Sequence, residues 1–308
     1  MNQIAQWLIQ ILLVPVAAPL AVGIINKLKA KMQGRKGAGV MQPYRDLRKL
    51  FHKDEIITKD ASWVFRIAPF IVFGVTVLVA TSIPLFTTGI SPWTSDFLVL
   101  IYCMAVGTFF LALAGIDTGS AFGGFGSSRE MTLSAIAEGA LIFSILPLVM
   151  LSGTTDLFGI ANGIGSEYGN YIVPIVMAFI GFLVVLVAEA KRFPFDNPDT
   201  HLELTMIHEA MILEYSGKRL ALMEWAAANK LFIFAALAAN MFFPVGIASA
   251  SDVGALLIGI AALLGKVLAI CAAIAVVESV MPKLRYFLLP HVLFVAFILN
   301  VVAIGLVL

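Results

Sequence analysis

Charge is what this sequence has least of. Lys, Arg, Asp and Glu together make up 13% of its 308 residues, about half of the ~25% usual in a soluble domain. Apolar residues account for 60% and the mean hydropathy is +0.98, so most side chains suit lipid rather than water. The net charge is +1, which gives no bulk electrostatic basis for binding nucleic acid.

Cysteine is nearly absent. Cys103 and Cys271 both sit in apolar runs and no Cys-x-x-Cys exists. That excludes an iron–sulfur cluster or structural zinc site ligated by cysteines of this chain alone. Both read as small buried hydrophobes. Residues 1–26 carry no charged side chain. The basic start of a cleavable signal peptide is therefore missing, and the stretch reads as a retained first helix.

Other patterns are missing too. The apolar runs lack the two-residue alternation of an outer-membrane barrel, and the two halves show no internal repeat of the secondary-transporter kind. Gly123-Gly124-Phe125-Gly126 follows no strand, so it is not a dinucleotide fingerprint. Ser216-Gly217-Lys218 lacks the P-loop spacing. His201 and His208 could share a helix face, but no further ligands accompany them and no metal is expected. His52 and His291 stand alone.

What is present is a series of long apolar segments. A membrane-spanning helix needs about 20 such residues in a row. Candidates fall at approximately 4–24, 64–86, 95–115, 131–152, 170–190, 226–247, 254–278 and 286–307. Helix is the form expected, because an open sheet leaves amides unpaired in hydrocarbon. The expectation is an all-α polytopic membrane protein of eight spans in one membrane domain, 1–308.

Basic residues orient it. Residues 27–66, from the end of span 1 to the start of span 2, hold eleven of the twenty. Arg129 lies between spans 3 and 4. Lys191, Arg192, Lys218 and Arg219 lie between 5 and 6, with Lys230 at the start of 6, and Lys283 and Arg285 lie between 7 and 8. The N-terminus and the connections 2–3, 4–5 and 6–7 have none. Arg66 and Lys230 fall just inside the starts of spans 2 and 6, and Lys266 alone falls well inside a span. Both termini are thus expected outside the cytoplasm, with the long connections 25–63 and 191–225 inside.

Those two connections carry the polar chemistry. In the first, Pro43 can open a helix, and Tyr44, Leu47, Leu50 and Phe51 recur at helical spacing with Arg45, Arg48 and Lys49 off the stripe. An interfacial helix resting on anionic headgroups is the plain alternative. The second sets Glu189, Asp196, Asp199, Glu203, Glu209, Glu214 and, just beyond, Glu224 among Phe, Leu, Met and Ile. Carboxylates in apolar surroundings hold protons more tightly, since burial penalises the charged form. A surface helix with an acidic face is the alternative. Glu138 and Lys266 lie well inside spans, while Glu130, Glu189 and Glu278 lie near span ends. Ionisable groups in a membrane are functional candidates. The alternative for Glu138 and Lys266 is an ion pair that only fixes packing.

On these residues the chain resembles the membrane subunit of respiratory complex I that docks the peripheral arm, its subunit 1. Within that superfamily it is more similar to the counterpart in group 4 energy-converting NiFe hydrogenases, the hydrogenase-4 and formate hydrogenlyase type. The carrying motifs are Arg35-Lys36-Gly37-Ala38…Gln42 followed by Asp46 and Lys49, Ala68-Pro69, Asp117-Thr118-Gly119-Ser120, Ser128-Arg129-Glu130 with Glu138, Pro194-Phe195-Asp196, Glu203-Leu204, and Glu214-Tyr215-Ser216-Gly217. Ala38 replaces the family's proline, His201 stands where an acid is usual, and the chain is about three residues longer between Glu203 and Glu214, adding His208 and Glu209.

The resemblance implies a subunit of the prokaryotic cytoplasmic membrane that docks a peripheral redox arm and couples electron transfer to proton or sodium movement. It implies no cofactor in this chain. A NiFe centre and iron–sulfur clusters would sit in hydrogenase large, small and iron–sulfur partner subunits, with antiporter-like membrane subunits alongside. The implied proton path is Glu138, Glu189, Glu203, Glu209, Glu214, Lys266 and Glu278. The implied docking face or cavity comprises Arg35, Lys36, Gln42, Asp46, Lys49, Asp117, Arg129, Glu130, Asp196, Asp199 and His201. A quinone-cavity subunit of an NADH:quinone oxidoreductase-type complex, a passive membrane anchor and a stand-alone transporter are the alternatives.

Overall fold

The computed structural model describes residues 3–58, 60–89, 92–167, 169–196, 206–248 and 252–308. Its helices are α1 (Gln3–Met32), α2 (Gln42–Phe51), α3 (Trp63–Thr81), α4 (Phe97–Asp117), α5 (Ala121–Ser152), α6 (Leu157–Glu167), α7 (Ile172–Glu189), α8 (His208–Ile212), α9 (Gly217–Phe242), α10 (Val253–Val280) and α11 (Leu289–Gly305). Eight are long and apolar enough to cross a membrane: α1, α3, α4, α5, α7, α9, α10, and α11 with the short 3-10 turn before it. No strand occurs among the described residues; two isolated bridges, Thr87 with Ala248 and Asp96 with Asp156, are the extent of extended pairing there.

The bundle is built around α9. Every residue from Leu231 to Phe242 is buried, as expected of a helix that is apolar all round. It packs against α1, α3, α7 and α10, while α3, α4, α5, α7 and α11 pack in succession beside it. Outward faces are apolar. Ile4, Leu8, Leu12 and Val16 form an exposed stripe on α1, and Phe294, Val295 and Ile298 one on α11. Exposed apolar surface on this scale needs lipid.

Cross-links confirm that alternate connections share an end. Ion pairs tie Lys29 and Arg192 to Glu278, Lys191 to Glu130 and Lys283 to Asp196. These residues come from α1, the segment after α7, α10, α5 and the segment after α10, so their ends meet at one pole, the basic end. The bridges Thr87–Ala248 and Asp96–Asp156 join the other connections at the opposite pole.

Several bounds differ from those expected. The second span stops at Thr81 because Ser82 and Pro84 interrupt it. The following Ile83, Leu85 and Phe86 are nonetheless buried. Gln10 Nε2 donates to Ile83 O at 2.6 Å, and Asn240 Nδ2 donates to Pro84 O and Leu85 O at 2.7 Å each. Irregular backbone at membrane depth requires such internal partners. α5 starts ten residues before the expected span, so Arg129 and Glu130 lie in the helix, not in a loop. α9 likewise starts at Gly217 and takes in Lys218 and Arg219. The helices α6 and α8 were not expected.

Candidate functional site

The Glu-Tyr-Ser-Gly signature clamps the two long connections together. Tyr215 stacks on Phe65 with ring centroids 4.0 Å apart and donates to Phe65 O at 2.9 Å; burial pushes its phenol pKa up. Ser216 Oγ accepts from Ile56 N at 2.9 Å and donates to Ile56 O at 3.1 Å. Gly217 has φ +55°, and a Cβ there would lie 2.9 Å from Lys53 O and Asp54 O, so glycine is required. Arg219 pairs with Glu55 alongside. Glu214 of the same signature is exposed.

The short stretch after α7 is the centre of the site. Helix α7 ends in a Schellman turn: Arg192 N donates to Val187 O at 3.0 Å and Lys191 N to Ala188 O at 3.2 Å. Lys191 holds the left-handed position, φ 53°, where glycine is usual. The turn fans its side chains to different partners. Glu189 takes Lys230 of α9 at 2.6 Å, Lys191 takes Glu130 of α5 at 2.6 Å, Arg192 takes Glu278 of α10 at 3.4 Å, and Asp196 takes Lys283 at 2.8 Å. Lys29 of α1 also reaches Glu278, at 3.3 Å. Burial opposes the charge on Lys191, but Glu130 and Glu189 outweigh it and raise its pKa.

Asp196 has a second role. Its Oδ2 accepts the amides of Ile207 (3.3 Å) and His208 (3.0 Å), which starts α8. That helix lies on α5 because Gly126 has no side chain; a Cβ would come within 2.9 Å of Ala210 Cβ and Ile207 O. Glu130 follows Gly126 by one turn, on the same face, and is 1% exposed.

Glu138 lies two further turns along α5. It is half-buried, and among the described residues it has no ion pair; Ser134 Oγ donates to its Oε1 at 3.0 Å. Its charged neighbours are Glu189, Lys230 and Glu130.

Glu130, Glu189, Lys191, Arg192, Asp196 and Lys230 border a cavity of about 470 Å³. Leu47, Leu50, Val72, Val75 and Leu111 form its apolar wall, and Glu130, Glu189, Lys191, Asp196, His208 and Lys230 its charged end. Helix α2, which has no buried residue, supplies one side. The wall also includes Glu209, Glu224 and Asp46. Asp46 accepts from Gln42 Nε2 at 2.8 Å and lies 3.8 Å from Lys49.

The structure thus brings Glu130, Glu138, Glu189, Asp196 and Glu209 to one region, with Glu278 one ion pair away. It separates others. Lys266 points toward the opposite pole, where its Nζ donates to Asn240 Oδ1 (2.6 Å), Phe243 O (2.9 Å) and Val245 O (3.1 Å). Asp117 starts α3 instead of facing outward: its Oδ2 accepts the amides of Ser62 (2.9 Å) and Phe65 (3.2 Å). Arg129 braces the interior, donating to Met206 O at 3.3 Å over the rings of Phe125 and Tyr286. Arg35 and Lys36 are exposed, Arg35 donating to Gln33. Asp199, His201 and Glu203 lie outside the described residues. The sequence reading missed the cations Lys29, Lys191, Arg192, Lys230 and Lys283 as site residues, having used most of them only to orient the chain. Lys230 carried a signal: it is a charge inside the expected span 226–247.

Burial among apolar groups was expected to leave the acids as a set with raised proton affinity. Of those acids, Glu189 and Asp196 have cationic partners, as do Glu130 and Glu278 nearby. Among the described residues, no group of three or more His, Cys, Asp or Glu side chains is placed to hold a metal ion.

Eight apolar spans, a polar pole clamped by signature residues, and a cavity ending in paired charges define a multi-pass membrane protein. The chain belongs to the NADH dehydrogenase family, whose model matches residues 5–308. It is 34% identical over 298 residues to hydrogenase-4 component C of Escherichia coli (strain K12), covering 96% of this chain and 93% of that one. It is 30% identical over 291 residues to formate hydrogenlyase subunit 4 of the same strain, covering 94% of each. It is 31% identical over 255 residues to a subunit of the NADH-quinone oxidoreductase of Solibacter usitatus (strain Ellin6076), covering 75% of this chain and 62% of that one. A chain in the structure of the membrane-bound sulfane sulfur reductase, an archaeal respiratory membrane complex, superimposes with a TM-score of 0.84 at 20% identity over the whole of both chains. That likeness shows the fold.

Proposed function

We propose that this chain is the arm-docking membrane subunit of a complex I-like energy-converting hydrogenase in the prokaryotic cytoplasmic membrane, with both termini outside. The basic pole, with the exposed Arg35, Lys36 and Lys49, receives the peripheral subunits that carry the NiFe centre and iron–sulfur clusters. Antiporter-like subunits flank the bundle. The names of the two Escherichia coli relatives support the hydrogenase assignment.

The observation that carries the coupling role is the line Asp196–Lys283, Glu130–Lys191, Glu189–Lys230, ending at the unpaired Glu138. Lys230 acts electrostatically on both Glu189 and Glu138. A charge arriving in the docked arm shifts the balance among these groups, because buried charges interact strongly across a few ångströms. Moving Lys230's influence from Glu189 toward Glu138 is the two-state step. A proton held on Glu138 is then released and one on the Glu189 side taken up, and the change passes laterally.

The test is Glu138→Gln in the assembled complex in sealed vesicles. Assembly and electron transfer should persist while proton pumping is lost. Normal pumping overturns the reading in favour of a passive anchor.

The apolar wall of the cavity favours a second reading, a binding site for an isoprenoid quinone. Quinone-dependent electron transfer by the purified complex, without hydrogen production, would establish it.

A further inference from the structure

Among the described residues, His208 is the one group at the charged end of the cavity that the ion pairs leave unused. Its ring lines the cavity. Both ring nitrogens are buried, and neither has a hydrogen-bond partner among the described residues. Its position is held from three sides: by Asp196 on its backbone amide, by Gly126 beneath α8, and by Tyr215 at the turn beyond α8. A buried polar side chain left without partners, on a tightly positioned helix, calls for an explanation.

We propose that His208 is the proton relay between water in the cavity and the buried Glu130–Lys191 pair, a role that rests on the coupling function above. One ring nitrogen accepts a proton from a protonated water of the cavity, leaving neutral water. The other gives up its own proton to a Glu130 oxygen, and rotation of the ring then turns the newly protonated nitrogen toward Glu130 and the bare one toward the cavity. Glu130 becomes a neutral acid, and Lys191 is left to its other carboxylate neighbours, Glu189 and Asp196. No electron moves and each proton is accounted for.

The charged groups acting on the ring are Glu130 of α5, Lys191 and Asp196 of the segment after α7, and Lys230 of α9. Burial is the largest influence and lowers the imidazole pKa, with Lys191 and Lys230 adding to it and Glu130 and Asp196 opposing. The ring therefore rests neutral, with one donor and one acceptor nitrogen, as a relay must. The cavity has room for water, and polar groups to hold it.

The test uses the assembled complex in sealed vesicles, with His208→Gln and His208→Ala beside Glu138→Gln. Proton uptake driven by electron transfer should fall about tenfold or more in both His208 variants, with a changed pH profile. Imidazole added to the His208→Ala complex should restore uptake, and should do nothing for Glu138→Gln. Wild-type uptake and pH profile in His208→Gln, or loss that imidazole fails to restore in His208→Ala, overturns the relay. If Glu138→Gln still stops pumping in that case, the coupling reading stands without it; if Glu138→Gln pumps normally, the coupling reading falls on its own account.

Discussion

Lys191 occupies a left-handed backbone position, φ 53°, and its ammonium lies 2.6 Å from a carboxylate oxygen of Glu130. The two facts belong together. A side chain at that φ costs about 1 kcal/mol relative to glycine. Strain of this kind persists where surrounding contacts over-determine it, and the ion pair with a carboxylate that is 1% exposed supplies that contact.

Lys191→Gly and Lys191→Ala both strip Glu130 of its partner. Each should lose about 3–5 kcal/mol, the usual consequence of leaving a buried charge unpaired. The glycine variant should recover about 1 kcal/mol of that by relieving the backbone. Thermal unfolding of the detergent-purified complex should rank wild type above glycine above alanine. Alanine equal to or above glycine would show that the left-handed position carries no strain.

Lys230→Met should destabilise by a similar ~3–5 kcal/mol, because Glu189, at 5% side-chain exposure, is left unpaired. The double variant Glu189→Gln/Lys230→Met should regain most of the loss. A double-mutant cycle measures the coupling directly. Additive losses would mean the pair does not exist in the membrane.

Asp117→Ala should cost about 0.5–2 kcal/mol by freeing the amides of Ser62 and Phe65 at the start of α3. Attachment of the peripheral subunits should be unaffected. Co-purification of those subunits in wild-type ratio checks this; their selective loss would return Asp117 to the docking face.

Stability should fall at both ends of the pH scale for different reasons. The folded state lowers the pKa of His208 below 6.5. The unfolded chain therefore binds more protons, and stability is lost as pH falls below 6.5. The folded state raises the pKa of Lys191 above 10.5. Its contribution is complete below 10.5 and is lost as pH rises through the folded value. His208→Gln should flatten the acid limb and leave the alkaline limb in place, as read from unfolding temperature against pH.

The residues at which the sequence was informative share one physical cause. Lipid admits no unpaired backbone and few charges, so eight apolar runs and the segregation of basic residues were legible without coordinates. Helix α2 was legible from Pro43 and the spacing of Tyr44, Leu47, Leu50 and Phe51. Glu138 stood out as an acid inside a span. The short α8 was not legible: its five residues carry no periodic signal, and it exists because Asp196 accepts its first amides and Gly126 leaves room beneath it.

The amino-acid order by itself determined the number of spans, the pole at which charge collects, and the family, since each depends on local hydropathy or on contiguous motifs. Only the tertiary structure decided which charges neutralise one another. Glu189 meets Lys230, Lys191 meets Glu130 and Arg192 meets Glu278 across helices far apart in sequence. Coulombic pairing and burial depend on distances in space, which no sequence interval encodes; hence the absence of an ion pair at Glu138 and of a hydrogen-bond partner for the His208 ring, among the described residues, emerged only once the helices were packed.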